Sequence, residues 1–406
     1  MNNVPHALSS SRLHALDNLR ALLALLGIPF HACFLLFLIA SHTVVNYLDL
    51  YPLLQHEPVS HSALFLIIFF IHLFRMPAFF LLAGFFAHFI YARSDVKKFL
   101  TNRLLRIGLP LFFIIIWLYP SYLNGVLIAA AHESLLQQQN IAPLVWSHLK
   151  NDWLQGKTWS ILDNTRDAWF LNYLLWFYLI TLLGLFIKSL HPLTQFKQAL
   201  NHCVGQCLFT RARYILLPLI LTGLMMTAHP AVWLVAYDIH LRPDLTLLTF
   251  YGVWYFLGWW LWHNHPDFSA FFNNPGYQLL SAVMTYIIYL AIYLQFAETT
   301  HLIIRVIGLF FYMLTMVLSV FGVVGLAWRY LNHAQVWLRY ISASAYWVYL
   351  VQIPILLISI PLIALTHMSF WLQFIVNTVL CFFLCLSSYH LLVRYTWLRH
   401  VLGGKQ

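Results

Sequence analysis

The plainest shortage in this 406-residue sequence is of charge: Asp, Glu, Lys and Arg together make up 8% of it, and only 12 residues are acidic. A soluble domain of ordinary composition carries roughly 25% charged residues. With 62% hydrophobic residues, the chain has more apolar surface than a water-soluble fold can hide. Cysteine is scarce too. Cys33, Cys203, Cys207, Cys381 and Cys385 fall in apolar runs or a basic loop, which excludes a disulfide framework. His202, Cys203 and Cys207 are neighbours, but their spacing matches no common zinc pattern, so no metal is expected. No Pro/Ser-rich linker, low-complexity tract or extramembrane segment long enough for its own core interrupts the sequence. Residues 1–406 therefore read as a single membrane-embedded domain.

What is present is a series of apolar runs. A spanning helix needs about 20 mostly apolar residues. Ten such runs are expected, at 21–40, 62–91, 105–130, 168–188, 213–236, 246–264, 277–297, 304–328, 344–366 and 369–391. Long unbroken runs exclude the weak alternating signal of a transmembrane β-barrel. The expected class is all-α, a polytopic helical bundle in a lipid bilayer. Lys and Arg collect in cytoplasmic loops. With the N-terminus inside, 16 of them fall in inner segments and 5 in outer ones, so both termini are expected in the cytoplasm. The formal charge of +10 then reports topology and contact with anionic lipid, and no nucleic-acid partner is expected. A cleaved signal peptide is disfavoured, because the first apolar run is as long as a full span and carries Arg20 and His31.

Ionisable groups inside a span are costly, so each needs a partner or a role. The first helix reads LDNLRALLALLGIPFHA and holds Asp17, Arg20 and His31. Eleven residues are about three helical turns, so Arg20 and His31 share a face with Ala24 and Gly27 between them. That stripe reads either as a groove for a ligand chain or as a surface for close helix packing, with His31 bonded to a neighbour. Pro29 removes one helix hydrogen bond and predicts a kink below His31. The second helix, FIHLFRMPAFFLLAGFF, places His72 and Arg75 one turn apart near mid-membrane. Arg75 stays charged and must meet a carbonyl cluster, water or an anion. Lys97, Lys98, Arg103 and Arg106 follow; they suit a polyphosphate, and topology alone also accounts for them. The longest outer segment, 132–167, contains Trp146, Trp153 and Trp159 with Asp152 and Asp163. It reads equally as an interfacial aromatic belt and as a sugar-stacking surface.

At these residues the sequence resembles acyltransferase family 3 of membrane proteins. The family's first-helix Arg and His, ten residues between them, are matched by Arg20 and His31. Its Phe-rich second helix ending in Gly-Phe is matched by Phe79, Phe80, Gly84 and Phe85, and its Arg-x-x-Arg by Arg103 and Arg106. LGIPFH, FRMPAFF, RIGLP and the closing VRYTWLRHVLGGK resemble a branch of that family concerned with periplasmic glucans. Two positions depart from the pattern. Asp167 and Ala168 precede Trp169 where relatives often have His before Trp, and Gln352 stands in SAYWVYLVQIP where many have His.

The resemblance implies transfer of an acyl group from cytosolic acyl-CoA, succinyl-CoA or acetyl-CoA, to a sugar hydroxyl outside a bacterial inner membrane. No permanently bound cofactor is implied. His31 is then the expected general base or transient acyl carrier, because its unperturbed pKa lies nearest neutrality. Arg20 is expected to bind donor phosphate or to orient the site, and Asp17, three residues before it, to pair with Arg20. Arg103, Arg106 and Lys98 are expected at coenzyme A phosphates, and Arg75 at the far carboxylate of a dicarboxylic acyl group. His72, Trp153, Trp159, Asp167 and Trp169 are the candidate acceptor contacts. Glucan-synthesis proteins are the protein partners that this reading admits. The rival class is a secondary transporter, or a non-catalytic partner in polysaccharide export. Transporter folds usually show paired helix interruptions in two related halves, and no such repeat is present here.

Overall fold

In a computed structural model the chain is described at residues 10–40, 59–113, 140–155, 165, 168–190, 201–202, 204–206, 210–229, 233–235, 238, 240–264, 274–332, 336–364, 366 and 368–402. Its helices in chain order are α1 (Ser10–Leu25), α2 (Gly27–Ala40), α3 (Val59–Tyr91), α4 (Val96–Arg103), α5 (Ile141–Leu154), α6 (Trp169–Leu190), α7 (Arg213–Ala228), α8 (Leu245–Asn264), α9 (Pro275–Phe296), α10 (Leu302–Tyr330), α11 (Val336–Ala364), α12 (Phe370–Ser388) and α13 (Leu398–Leu402). π-helical turns extend α4 over Leu104–Gly108 and α12 over Tyr389–Val393.

Among the described residues, seven stretches are long and apolar enough to cross a bilayer: His14–Phe37, Ser62–Tyr91, Trp169–Ile187, Pro275–Phe296, Leu302–Tyr330, Trp337–Ala364 and Phe370–Val393. A helix satisfies its own backbone in lipid, which is why apolar runs of this length take that form. The protein is thus a multi-pass helical membrane protein. The remaining three expected spans fare differently. Most of 105–130 lies outside the described residues. The run 246–264 forms α8, whose many Trp and Tyr residues make it less apolar than the seven. The run 213–236 ends as a helix at Ala228, because His229 precedes a proline and takes φ −129°, ψ 61°.

The chain divides into two compact units. The first comprises residues 1–93, 188–236 and 249–406. Within it α3 and α8 cross with their backbones touching at Gly84 and Gly258. A Cβ on Gly84 would run into the Tyr255 carbonyl, and one on Gly258 into the Leu81 carbonyl. Small residues are what allow such an approach between helices in a membrane. α9 and α10 form an antiparallel pair joined by a short turn, in which Arg305 Nε donates to the Thr299 carbonyl at 2.7 Å. α1 is tied down by polar anchors: Asn18 donates to the Leu331 carbonyl at 2.9 Å, and Ser342 donates to the Asp17 carbonyl at 3.3 Å. α2 packs on α11 and α12 through Ile28, Ala32, Leu36, Val348, Leu356 and Cys381.

The second unit comprises residues 94–187 and 237–248. Phe99 packs edge-on against Tyr178, and Trp169 edge-on against Tyr173. Asn172 donates to the carbonyls of His240 and Leu241, and Asp238 accepts from the backbone N–H groups of His240 and Asp244. These bonds fix the short 237–248 segment to α6. Asp244 in turn caps the start of α8 by accepting from the Leu247 N–H at 2.9 Å.

Candidate functional site

The site begins with the break that Pro29 imposes. Pro29 has no N–H to offer the carbonyl four residues earlier. The helix is interrupted at Leu26, which keeps its own bond to the Leu22 carbonyl, and resumes as α2 at Gly27. Two residues after Pro29 comes His31. Across from α2, α3 presents His72 and Arg75. The Phe30 ring lies between them, stacked on His72 at 4.0 Å between centroids and 11° between planes, with the Arg75 guanidinium 5.2 Å from its centre. From α11, Gln352 interacts with His31 through its side-chain amide, and Tyr349 bears on Arg75.

Gly27 is the floor of this cluster. A Cβ placed there would sit 2.6 Å from Arg75 Nη1, 3.0 Å from Gln352 Oε1 and 3.2 Å from Gln352 Nε2. Any other residue at 27 would displace both side chains. The space beside Gly27 is therefore filled by Arg75 and Gln352. Ala24, the other small residue of the stripe, packs with Ala21, Ala345, Phe79 and Ile341. Of the two sequence readings of the stripe, close packing is the one that the structure adopts at both positions.

The electrostatics of the cluster are unusual. Arg75 is 5% exposed and Gln352 2%. His31 Nδ1, His72 Nδ1, Arg75 Nε, Arg75 Nη1 and Gln352 Oε1 are all buried without a hydrogen-bond partner among the described residues. Helices α2, α3, α11 and α12 contain no Asp or Glu at all. Leaving a buried polar group unmatched costs about 1–3 kcal/mol, and more when it is charged. The cluster thus sets two imidazoles and a cation together where no carboxylate on those helices can offset the charge. Chemically, it offers an imidazole able to take or give a proton and a fixed positive group able to hold an anion.

The other expected site residues are placed separately. Asp17 and Arg20 form their own ion pair at 3.1 Å, half-exposed, with the Arg20 guanidinium 5.5 Å from the Phe86 ring centre. Arg103 and Arg106 belong to the second unit. Arg103 ends α4 and lies over Phe99 at 5.5 Å and Tyr178 at 5.2 Å, while Arg106 sits in the π turn. The three-residue step between them runs through that wider turn, so the α-helical spacing that would align them does not apply. Lys98 is exposed in the same unit. Trp146 and Trp153, two turns apart on α5, are 69% and 62% exposed and share a face. Trp169 is buried at 6% exposure against Tyr173, where it packs and presents no open ring face. Trp159, Asp167, Cys203 and Cys207 lie outside the described residues.

Two members of the cluster were not among the candidates read from the sequence. Gln352 is more than 300 residues from His31, and its only signal was its departure from the His common in SAYWVYLVQIP. Gly27 was read as part of a packing stripe, with no hint that Arg75 and Gln352 converge on it.

The chain is 37% identical to glucans biosynthesis protein C of Escherichia coli (strain K12) over 113 residues, which is 27% of this chain and 25% of that protein. It is 36% identical over an equal stretch to the proteins of the same name from Escherichia coli (strain SMS-3-5 / SECEC) and Escherichia coli O1:K1 / APEC, with the same coverage. The match spans about a quarter of the length of these relatives. No solved structure matches the chain. The model of the acyltransferase domain matches residues 13–390, nearly the whole chain with both units, and the protein therefore belongs to that acyltransferase family.

Proposed function

We propose that the protein is an O-acyltransferase of the bacterial cytoplasmic membrane that moves a short acyl group, succinyl in preference to acetyl, from cytosolic acyl-CoA to a hydroxyl of a periplasmic glucan. Ten crossings with both termini in the cytoplasm belong to the same reading. The observation that carries it is the cluster of half-buried His31 and His72 with buried Arg75 and Gln352, which holds a cation and has no acidic residue on α2, α3, α11 or α12. A dicarboxylic acyl group would bring the missing negative charge. Charge-assisted contacts to Arg are among the strongest available to a carboxylate.

In this scheme His31 accepts the proton of the acceptor hydroxyl as its oxygen attacks the thioester carbonyl. A C–O bond forms, the C–S bond breaks, and the proton passes to the departing coenzyme A sulfur. Acyl transfer through His31 as a transient carrier is the two-step form of the same balance. His72 lies beside the acyl group. Arg20, paired with Asp17, orients the approach, and Arg103, Arg106 and Lys98 hold donor phosphates. Trp153, with Trp159 and Asp167, receives the sugar. The glucan acceptor is supported by the name of the relatives and by the exposed Trp face of α5.

Mass spectrometry of periplasmic and surface glycans tests this in cells with the gene, without it, and with His31→Ala. The expected result is an acyl mass found only with the wild-type gene, +100 Da per succinyl or +42 Da per acetyl by roughly the added formula mass. No such mass on any glycan overturns the transferase reading. Supplying both donors to Arg75→Met membranes tests the preference, and an unchanged succinyl-to-acetyl ratio makes Arg75 structural.

A further inference from the structure

Resting on the acyl-transfer reading above, we propose that Gln352 is the second arm of the acyl-selectivity site. Its side-chain N–H joins the Arg75 guanidinium in holding the far carboxylate of a dicarboxylic acyl group over the bare Cα of Gly27. Three observations lead there. Arg75 Nη1 and both polar atoms of the Gln352 amide come within 3.2 Å of one point, the missing Cβ of Gly27. Although they share that floor, Arg75 Nη1 and Gln352 Oε1 are each unpartnered, so the amide oxygen is not consumed as the acceptor for the guanidinium. And the backbone at 352 is held independently, since its carbonyl accepts from the Cys381 thiol at 3.6 Å; the side chain is not needed to anchor α11 there.

The residue type matters. A Glu here would pair with Arg75 and cancel the charge that the ligand needs. A Leu would fill the space and offer no donor. The neutral amide preserves the positive charge and brings a donor, Nε2, within 3.2 Å of the same point; with the amide turned so that Nε2 faces the anion, its oxygen is left to the His31 imidazole. Gln352 thereby links the end of the acyl chain that sets specificity to the residue that moves the proton. Arg75 and Gln352 both reach the floor with the ends of flexible side chains, so an entering carboxylate can part them without moving the helices.

The test uses the full-length protein in membrane vesicles, with succinyl-CoA and acetyl-CoA supplied together and the two acyl masses on the glycan counted. Gln352→Glu is expected to lower the succinyl-to-acetyl ratio about tenfold, the factor that one lost interaction of about 1.4 kcal/mol gives. Gly27→Ala, which alters neither side chain but displaces both, is expected to shift the ratio in the same direction. A second measurement needs no turnover. Free succinate should raise the thermal unfolding temperature of the purified wild type, acetate should not, and Gln352→Glu should abolish the succinate effect. An unchanged ratio in both variants, or equal succinate stabilisation of wild type and Gln352→Glu, overturns the proposal and leaves acyl transfer standing. A wild type that transfers neither acyl group overturns the acyl-transfer reading and this inference with it.

Discussion

Two buried polar regions of the first unit face the same problem and resolve it in opposite ways. Along α9 and α10, Tyr286 donates to the Leu66 carbonyl at 2.8 Å, Tyr289 to the Trp233 carbonyl at 3.1 Å, and Trp233 to the Ala297 carbonyl at 3.1 Å. Thr315 donates to Thr285 at 2.9 Å, and the Tyr289 ring contacts those of Tyr293 and Tyr312. These hydroxyls and the indole are matched by protein acceptors. Around His31 the opposite holds, with five polar atoms buried and unmatched. Matched polar groups in a membrane hold helices together. Unmatched ones cost free energy, and a fold retains them where a ligand supplies the match. Ser319 Oγ on α10 and Thr222 Oγ1 on α7 are also buried without a partner among the described residues, so what sets the His31 region apart is the gathering of two imidazoles, a cation and an amide in one place.

The most forceful way to break that contrast is to remove the imidazole at its centre. His31→Ala should lower acyl transfer by about 100- to 10,000-fold, the range for losing a general base. Its thermal unfolding temperature should fall only modestly, through loss of the Gln352 interaction and the ring contact with Phe30. Tyr289→Phe should do the reverse, with transfer retained and unfolding earlier. Equal loss of transfer in the two variants would erase the distinction. Next in size is Arg75→Met. A charged Arg at the centre of a spanning helix costs about 2.5–3.5 kcal/mol. Replacing it with an apolar side chain of similar length should stabilise the protein by up to that amount while reducing use of the dicarboxylic donor. Destabilisation by Arg75→Met would mean that the cation is held as a structural element, like the tyrosines.

On the matched side the effect should be smaller. Tyr286→Phe removes one interhelical hydrogen bond, and such bonds in membrane proteins average about 0.6 kcal/mol with a maximum near 1.7. Denaturant unfolding of the purified protein measures it, and turnover should be unaffected. A loss of turnover without a loss of stability would place the α9–α10 network in the site instead.

How much of this was legible in the sequence depends on the range of the interaction. Helix identity is local, so the apolar runs at 62–91, 277–297 and 304–328 match α3, α9 and α10 closely. The kink is local as well, and Pro29 marked it, although the break falls three residues earlier at Leu26 because the carbonyl that proline leaves unpaired lies upstream. His31, His72 and Arg75 stood out by their cost in lipid before any partner was known. Gln352 did not, since an amide mid-helix is unremarkable until tertiary packing sets it beside His31. The tyrosines were hidden for a related reason: Tyr is only mildly polar, and which of its hydroxyls are buried is decided by the partner helix. The π turn at Leu104–Gly108 depends on a single inserted residue, for which the pattern LLRIG holds no signal.

The smallest expected effect tests where the site ends. Asp17 and Arg20 share a helix with the approach to His31, yet their side chains are 38% and 39% exposed and pair with each other three residues apart. Exposed pairs of this kind contribute about 0–1 kcal/mol, much of it screened by salt. Asp17→Asn keeps the shape and removes the charge, so stability should fall by less than about 1 kcal/mol, and by less still in high salt. Transfer is the sharper readout. If Asp17 only restrains Arg20, turnover should fall severalfold through a higher KM for the donor, and Arg20→Lys should resemble it. A fall in kcat as deep as that of His31→Ala would extend the functional region down α1 to the ion pair. The boundary between matched and unmatched polarity would then no longer coincide with the boundary of the site.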